Sequence, residues 1–462
     1  MDLTRRSLLA GMAAGVGALA LPVSASARHA GRRPLRRPDS LPHPFRAAGT
    51  PDPAIPIEHV VVVMMENHSF DNYFGMLPAR GRRAADGFSL GADARPTATN
   101  PRADGTPVRA FAMPTYCQPE HEPNQSWNGT HLAVDGGRMD GFVRASGDVA
   151  MGYWDRADIP FYYSLASTFP LANRWFASAP CQTYPNRRFL HAGTAYGLIS
   201  TTTPGPDDPP PPNGTIFDRL NAYGIPWVNY FTDLPSVAII PSTVTSNPDK
   251  LRPIAQFYAD CAAGTLPAYS LVDPDFGGTD VVGGFAPDGV VPTVVRAQGQ
   301  DEENPQNIRY GEQFVAQVVD AVMSSPAWDR TLLVWCYDEH GGYYDHVAPP
   351  PAIAPDSIPP ALGPGDVPGG YDVYGCRVPA VVVSPWARRD YVSNVVHDHT
   401  SILAFVERKW NLPALTYRDA NAAAMLDFLD FGTPSFADPP SLVAAPSPLT
   451  GNGCDTSNYP GP

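Results

Sequence analysis

Three short segments of the chain are apolar without alternation: His59–Met65 (HVVVVMM), Thr331–Tyr337 (TLLVWCY) and 379–384 (PAVVVS). Runs of this length and β-branched character suit strands buried on both faces, as in a parallel sheet covered by helices. Elsewhere the period changes. Residues 311–323 place Phe314, Val315, Val318, Val319 and Val322 on one helical face. Thr400–Trp410 carries Ile402, Leu403, Phe405 and Val406 behind a Thr-Ser start that reads as a cap. Strands alternating with helices predict an α/β fold with a mostly parallel central sheet sandwiched by helices. Two Pro-rich stretches, 203–212 and 349–369, read as loops, as does a Pro-rich tail over 432–462.

The N-terminus has a different pattern. Arg5 and Arg6 precede an apolar stretch over 8–23 and the small residues Ser24-Ala25-Ser26-Ala27. This order resembles a twin-arginine signal peptide over 1–27. It implies export by the twin-arginine machinery to the cell envelope or the extracellular space. The stretch is too short and too rich in Gly and Ala for a stable transmembrane span, and no other segment reads as one. An Arg/Pro-rich arm, 28–54, is expected to be flexible and to lead into a domain over 55–431.

Composition narrows the picture. Of 462 residues, 54 are Pro, about twice the usual share. Yet 43% are hydrophobic, with 20 Tyr, 20 Phe and 8 Trp, so there is material for a large core carrying long loops. A net charge of −14 argues against nucleic acid as a partner. The six cysteines contain no C-x-x-C pair, and in an exported chain they allow 15 disulfide connectivities. Cys336, inside an apolar run, is expected to be a buried thiol.

Each apolar run leads into polar residues: Glu66-Asn67-His68, Asp338-Glu339-His340 with Asp345-His346, and His397-Asp398-His399. In open α/β sheets, ligands bind beyond the C-terminal strand ends, so these clusters are expected to meet on one rim. Carboxylates, an amide oxygen and imidazoles are ligands for a divalent metal: oxygen donors suit calcium, magnesium or manganese, and imidazoles admit zinc or iron. Thr183, two residues before Pro185-Asn186-Arg187, would present a nucleophile if a metal lowered its pKa.

The segments MMENHSFDNYFG (64–75), GGRMDGF (136–142), TYPNR (183–187), DEHGGYYDHVAPP (338–350) and GCRVPAVVVSPW…DHTSIL (375–403) resemble the bacterial phosphoesterase family. That family holds phosphatidylcholine-type phospholipases C and a respiratory-burst-inhibiting acid phosphatase, within the alkaline phosphatase-like superfamily. The resemblance implies a metal-dependent phosphoric ester hydrolase acting on a phospholipid or a small phosphate ester. It implies Thr183 as nucleophile and Glu66, Asn67, Thr183, Asp338, Glu339 and Asp398 around the metal. His346 would contact the phosphoryl group, His399 would serve catalysis, and Asn186 and Arg187 would bind substrate. Gln125 and Asn304 stand where relatives carry histidine; both are expected at the substrate site. Their departure leaves open a phospho- or acyl-type transferase acting on a specialised metabolite. The stretch 349–369, leaving from Asp345-His346, is expected to wall or cover the site.

Overall fold

A computed structural model describes residues 34–118, 123–277 and 299–448, with the backbone of two short strands at Thr279–Val282 and Thr293–Arg296. The segment 1–27 and Cys454 lie outside the described residues. The chain divides after Leu35, and the unit described is the one from Arg36 onward.

Among the described residues, eight strands form the main sheet: β1 His59–Met65, β2 Leu171–Ala172, β3 Trp227–Phe231, β4 Leu251–Pro253, β5 Tyr269–Asp273, β6 Thr331–Tyr337, β7 Ala380–Val383 and β8 Val392–Ser393. Their spatial order is β8-β2-β7-β6-β1-β5-β3-β4. β1 lies between β6 and β5, parallel to both, with His59 to Met65 opposite Thr331 to Tyr337 residue by residue. Every residue of β6 is buried, as expected for a β-branched and aromatic run covered on both faces. β3 and β5 escape the hydrophobic pattern because Asn229 and Ser270 interrupt them.

The third apolar run corrects one expectation. β7 runs antiparallel to β6, so its C-terminal end points away from the rim where β1 and β6 end. The chain returns through β8, which is parallel to β2, and only then delivers His397-Asp398-His399. At β7 it is the N-terminal approach, Cys376-Arg377, that stands on the β1/β6 side.

Five helices matter here: α1 Phe70–Phe74, α2 Trp127–Val134, α3 Thr183–Ala192, α4 Ile308–Met323 and α5 Thr400–Trp410. α4 buries the expected face, Phe314, Val315, Val318, Val319 and Val322, and starts three residues early behind an Asn307 cap. α5 has the expected bounds, but His399 is the N-cap residue and makes no side-chain cap bond. The Thr400 hydroxyl bonds Asp398 Oδ1 at 2.6 Å instead.

Residues 36–54 are not a loose arm. The Asn411 side chain donates to the carbonyls of His43, Arg46 and Ala47 at 3.1, 3.0 and 3.1 Å. Asp52 N donates to Lys409 O at 2.6 Å. Asn411 and Lys409 lie at the end of α5, so this segment is part of the α/β body. The tail begins in the same way, with Phe436 buried and its carbonyl taken by Trp328 Nε1 at 2.9 Å. Cys117 is disulfide-bonded, while Cys181, Cys261, Cys336 and Cys376 are buried free thiols. No described helix is long and apolar enough to cross a membrane.

Candidate active site

Because β1 and β6 are parallel and in register, Glu66-Asn67 and Asp338-Glu339 leave the sheet side by side. Asn67 takes a left-handed backbone, φ 71°, that few residues other than Gly adopt without cost. This turns its N–H onto Asp338 Oδ1 at 3.2 Å, an oxygen that also accepts from Glu339 N at 2.6 Å. Gly341 lies so close that a Cβ there would stand 1.8 Å from the Asn67 carbonyl oxygen.

Thr183 is brought to the same place by α3. The Asn186 carboxamide accepts from Ala179 N at 3.0 Å and donates to Cys181 O and Gln182 O at 2.9 and 3.1 Å. This fastens the loop before the helix and fixes Thr183 as its first residue. Thr183 lies against the Asp338 carboxylate, where its hydroxyl favours the charged form. With Glu66 and Arg187 it lines a cavity of about 460 Å³. Arg187 reaches Glu66 Oε1 at 3.0 Å and Asp338 Oδ2 at 3.4 Å. Burial disfavours its charge, but the two carboxylates outweigh burial and raise its pKa above the ordinary value.

The carboxyl groups pay for their burial in proton affinity. Burial pushes the Glu66 pKa well up, against Arg187, and Asp338 and Asp301 push it further. Burial, then the neighbouring Asp338 charge, does the same to Glu339. Three buried oxygens at these strand ends have no hydrogen bond of good geometry: Asn67 Oδ1, Asp338 Oδ2 and Glu339 Oε1. Buried polar atoms are normally partnered; Asp338 Oδ2 has Arg187 Nε at 3.4 Å, whereas the Asn67 carboxamide oxygen and the Glu339 oxygen have no hydrogen bond and are of the kind that suits a divalent cation.

Two acidic residues on the cavity wall were not foreseen. Asp301 and Glu303 line it, and each offers a carboxylate oxygen within 4.8 Å of one from Glu66. Glu66 N donates to Asp301 O at 2.9 Å, which ties the end of β1 to this turn. Glu302, between them, points the other way. At φ 76° it sends its carboxylate into the core, where the hydroxyls of Tyr73, Tyr162 and Tyr337 donate to it. Three consecutive acids before Asn-Pro were the sequence signal; nothing local tied them to a strand end.

Other expected residues are engaged within the protein or lie outside the cavity lining. The Asn186 side chain is used up in its loop and offers nothing to a substrate. Both Asp398 oxygens are satisfied, Oδ1 by Thr400 and Oδ2 by Ser178 at 2.8 Å. Burial holds the His399 pKa down at about 4, so the ring is neutral, and its Nε2 donates to Asp338 O at 2.7 Å. It braces Asp338. His346 is outside the cavity lining: its ring contacts Asp71 Oδ2 at 2.6 Å and Asp86 Oδ1 at 3.4 Å. Burial opposes its charge, but Asp71 and Asp86 outweigh burial and push its pKa up to about 10. Gln125 and Asn304 are buried and absent from the cavity lining, with Asn304 Oδ1 accepting from Tyr343 OH at 3.3 Å. The stretch 349–369 supplies no lining residue either. It is held on α2, where Trp127 Nε1 donates to Val367 O at 2.8 Å. The other Pro-rich stretch does the walling, through Thr203 and Pro204.

A hydroxyl at a helix start, beside an oxygen-rich cradle beyond parallel strand ends, is equipment for phosphoryl transfer. Comparison with known proteins gives the class: the protein is a hydrolase of phosphoric esters. It belongs to the Phosphoesterase family, which it matches over residues 57–413. The non-specific phospholipase C1 of Arabidopsis thaliana is 29% identical over 401 residues, 79% of this chain and 69% of that one. The non-hemolytic phospholipase C of Burkholderia pseudomallei is 30% identical over 397 residues, 77% of this chain and 55% of that one. Phospholipase C A of Mycobacterium tuberculosis is 27% identical over 442 residues, 86% and 82%. A solved structure described as a protein in the alkaline phosphatase superfamily from Vibrio parahaemolyticus aligns with a TM-score of 0.36 and 12% identity, over 76% of this chain and 78% of that one. At that score the likeness carries no argument.

Proposed function

We propose that the protein is an exported, metal-dependent phosphodiesterase of the phospholipase C type, with Thr183 as its nucleophile. The observation that carries this reading is the position of Thr183: first residue of α3, on the cavity wall, against Asp338. The names of the relatives support a phospholipid or a similar diester as substrate.

Glu66, Asn67, Asp338 and Glu339 would hold a divalent ion, which when bound lowers the pKa of a neighbouring hydroxyl and offsets phosphoryl charge. Asp338 takes the Thr183 proton as Oγ attacks phosphorus. The Oγ–P bond forms while the bond to the alcohol arm breaks, that alcohol leaves with a proton from solvent, and Asp338 returns its own proton to solvent. Water then attacks the phospho-threonine, restoring the hydroxyl and releasing the phosphomonoester. The positive end of α3 favours charge on the phosphoryl oxygens. Arg187 holds Glu66 and Asp338 in place, and His399 does the same for the Asp338 backbone. Export rests on Arg5-Arg6 and the apolar stretch after them.

The test is nitrophenol release from p-nitrophenylphosphorylcholine with and without chelator. Thr183→Ala is expected to lower kcat by about 10³-fold or more with an unchanged melting curve, and Thr183→Ser to keep part of the rate. A Thr183→Ala enzyme at wild-type rate, or full activity after metal removal, would overturn the reading. Replacing Arg5 and Arg6 by Lys should leave the chain inside the cell.

A further inference from the structure

Two polar side chains stand at buried positions in the strands on the far side of β1 from β6: Asn229 within β3 and Asp273 at the end of β5. Both are fully buried and neither lines the cavity. Asp273 Oδ2 accepts from Asn229 Nδ2 and from Ser236 N, each at 2.7 Å. Asn229 Oδ1 accepts from Val237 N at 3.4 Å. A buried carboxylate and a buried carboxamide are costly unless bonded, and here both spend their bonds on one short segment after β3.

That segment is a wall of the cavity, which Leu234, Pro235, Ser236, Ala238 and Ile239 all line. Ser236 opens a single 3₁₀ turn, Ser236–Ile239, and the first N–H of such a turn has no partner within it. Asp273 supplies that partner. At the other end of the turn, Arg188 Nη2 donates to Ile239 O at 3.2 Å, and Arg188 belongs to α3. The wall is therefore clipped to β5 at one end and to the helix that carries Thr183 at the other. Leu234, before the turn, is 59% exposed, so burial does little to hold the start of the wall and the clip at Ser236 must do it.

We propose that Asp273 is a positioning residue: by accepting from Ser236 N it sets the wall 234–239, and through that wall it decides the size of the arm that the site takes beside the phosphoryl group. This rests on the phosphodiesterase reading above. Asp273 acts as an acceptor and not as a charge. Arg187 acts on it across space, but Glu66 and Asp338 are the carboxylates that hold Arg187 directly. Asp273 Oδ1 has no hydrogen bond among the described residues. An Asn in its place keeps one oxygen for Ser236 N and turns its amide nitrogen to the unbonded side.

The experiment uses two pairs of probes that differ in one arm. Turnover compares p-nitrophenyl phenyl phosphate with p-nitrophenyl methyl phosphate. Calorimetric binding compares phenylphosphonate with methylphosphonate, which carry no ester to cleave. Wild type should favour the phenyl member of each pair by about ten-fold or more, in kcat/KM and in Kd, because a ring buries more apolar surface on this wall. In Asp273→Ala both ratios should fall towards one, through a higher KM for the phenyl diester, with kcat for the methyl diester within about three-fold of wild type. Asp273→Asn should restore both ratios. Ser236→Pro deletes the donor itself, at a first helical position that proline fits, and should lower the ratios relative to Ser236→Ala, which loses only the hydroxyl. It carries the test should Asp273→Ala fold poorly. Asp273→Asn as impaired as Asp273→Ala overturns the proposal, since the charge would then be the working feature. Absence of a phenyl preference in wild type overturns it too. Diester turnover with unchanged ratios in the folded variants overturns the proposal and leaves the phosphodiesterase reading standing. Phosphonate ratios that fall as expected, without any diester turnover, do the reverse.

Discussion

Arg187 Nη2 stands 3.0 Å from Glu66 Oε1, one helical turn beyond Thr183, with both side chains buried. The pair joins α3 to the end of β1, so the helix that carries the hydroxyl cannot shift along the sheet without breaking it. Removing one partner of a buried ion pair leaves the other charge uncompensated. Arg187→Met is therefore expected to cost about 3–5 kcal/mol, read from urea unfolding of the metal-free protein. Arg187→Lys should recover part of that and little of kcat, because an ammonium cannot span Glu66 and Asp338 together.

The loop before α3 depends on one carboxamide. Asn186→Ala deletes its bonds to Ala179, Cys181 and Gln182 and frees the residue that positions Thr183. A misplacement of about 1 Å at a nucleophile costs about 10²-fold in rate. We expect kcat to fall by that order with metal content unchanged, checked by steady-state kinetics and metal analysis of one preparation.

Gly341→Ala should be among the most damaging single-methyl additions. Its φ is +63°, and the added Cβ would meet the Asn67 carbonyl oxygen at 1.8 Å, so either that turn or the β1 end must move. Activity should vanish, and any folded variant should show a melting temperature well below wild type. A Gly341→Ala protein of normal rate and stability would refute the close packing of these two turns.

Stability should fall as pH rises from about 4.5 to about 8. Burial raises the Glu302 pKa from 4.5 to about 8, partly offset by the Tyr337 and Tyr73 hydroxyls, and raises Glu312 to about 8 as well. Both pKa values are higher folded than unfolded, so in this window the native state keeps protons that the unfolded chain has released. That contribution is complete below the unfolded value and lost through the folded one. Glu302→Gln should flatten the slope of melting temperature against pH in chelator-treated protein; an unaltered slope would show that Glu302 does not titrate there.

Much of this protein was readable along the chain. Continuous apolar runs specify buried strands wherever both faces are covered, so β1 and β6 were legible, and the polar residues after them marked one rim. Periodicity found α4 and α5 for the same reason: the pattern is local. Glu66, Asn67, Asp338 and Glu339 could be named because each follows directly on an apolar run, whereas Thr183 was named through the TYPNR segment and the family resemblance that it carries. The remainder depended on partners far apart in sequence. The direction of β7 is set by its neighbours, and its sequence reads alike both ways. His346 and His399 looked alike as candidates, yet one is paired with Asp71 and Asp86 and the other braces a backbone carbonyl. Asn186 looked like a substrate contact until its loop claimed all its bonds. Asp301 and Glu303 follow no strand and fit no period; they reach the cavity because Glu302, in a left-handed turn, is held from the opposite side by tyrosines from three separate segments. Apolar patterning fixes which segments are buried, since burial is decided residue by residue. Which polar groups share a cavity is decided by pairwise contacts across the whole fold, and only the tertiary structure contains those.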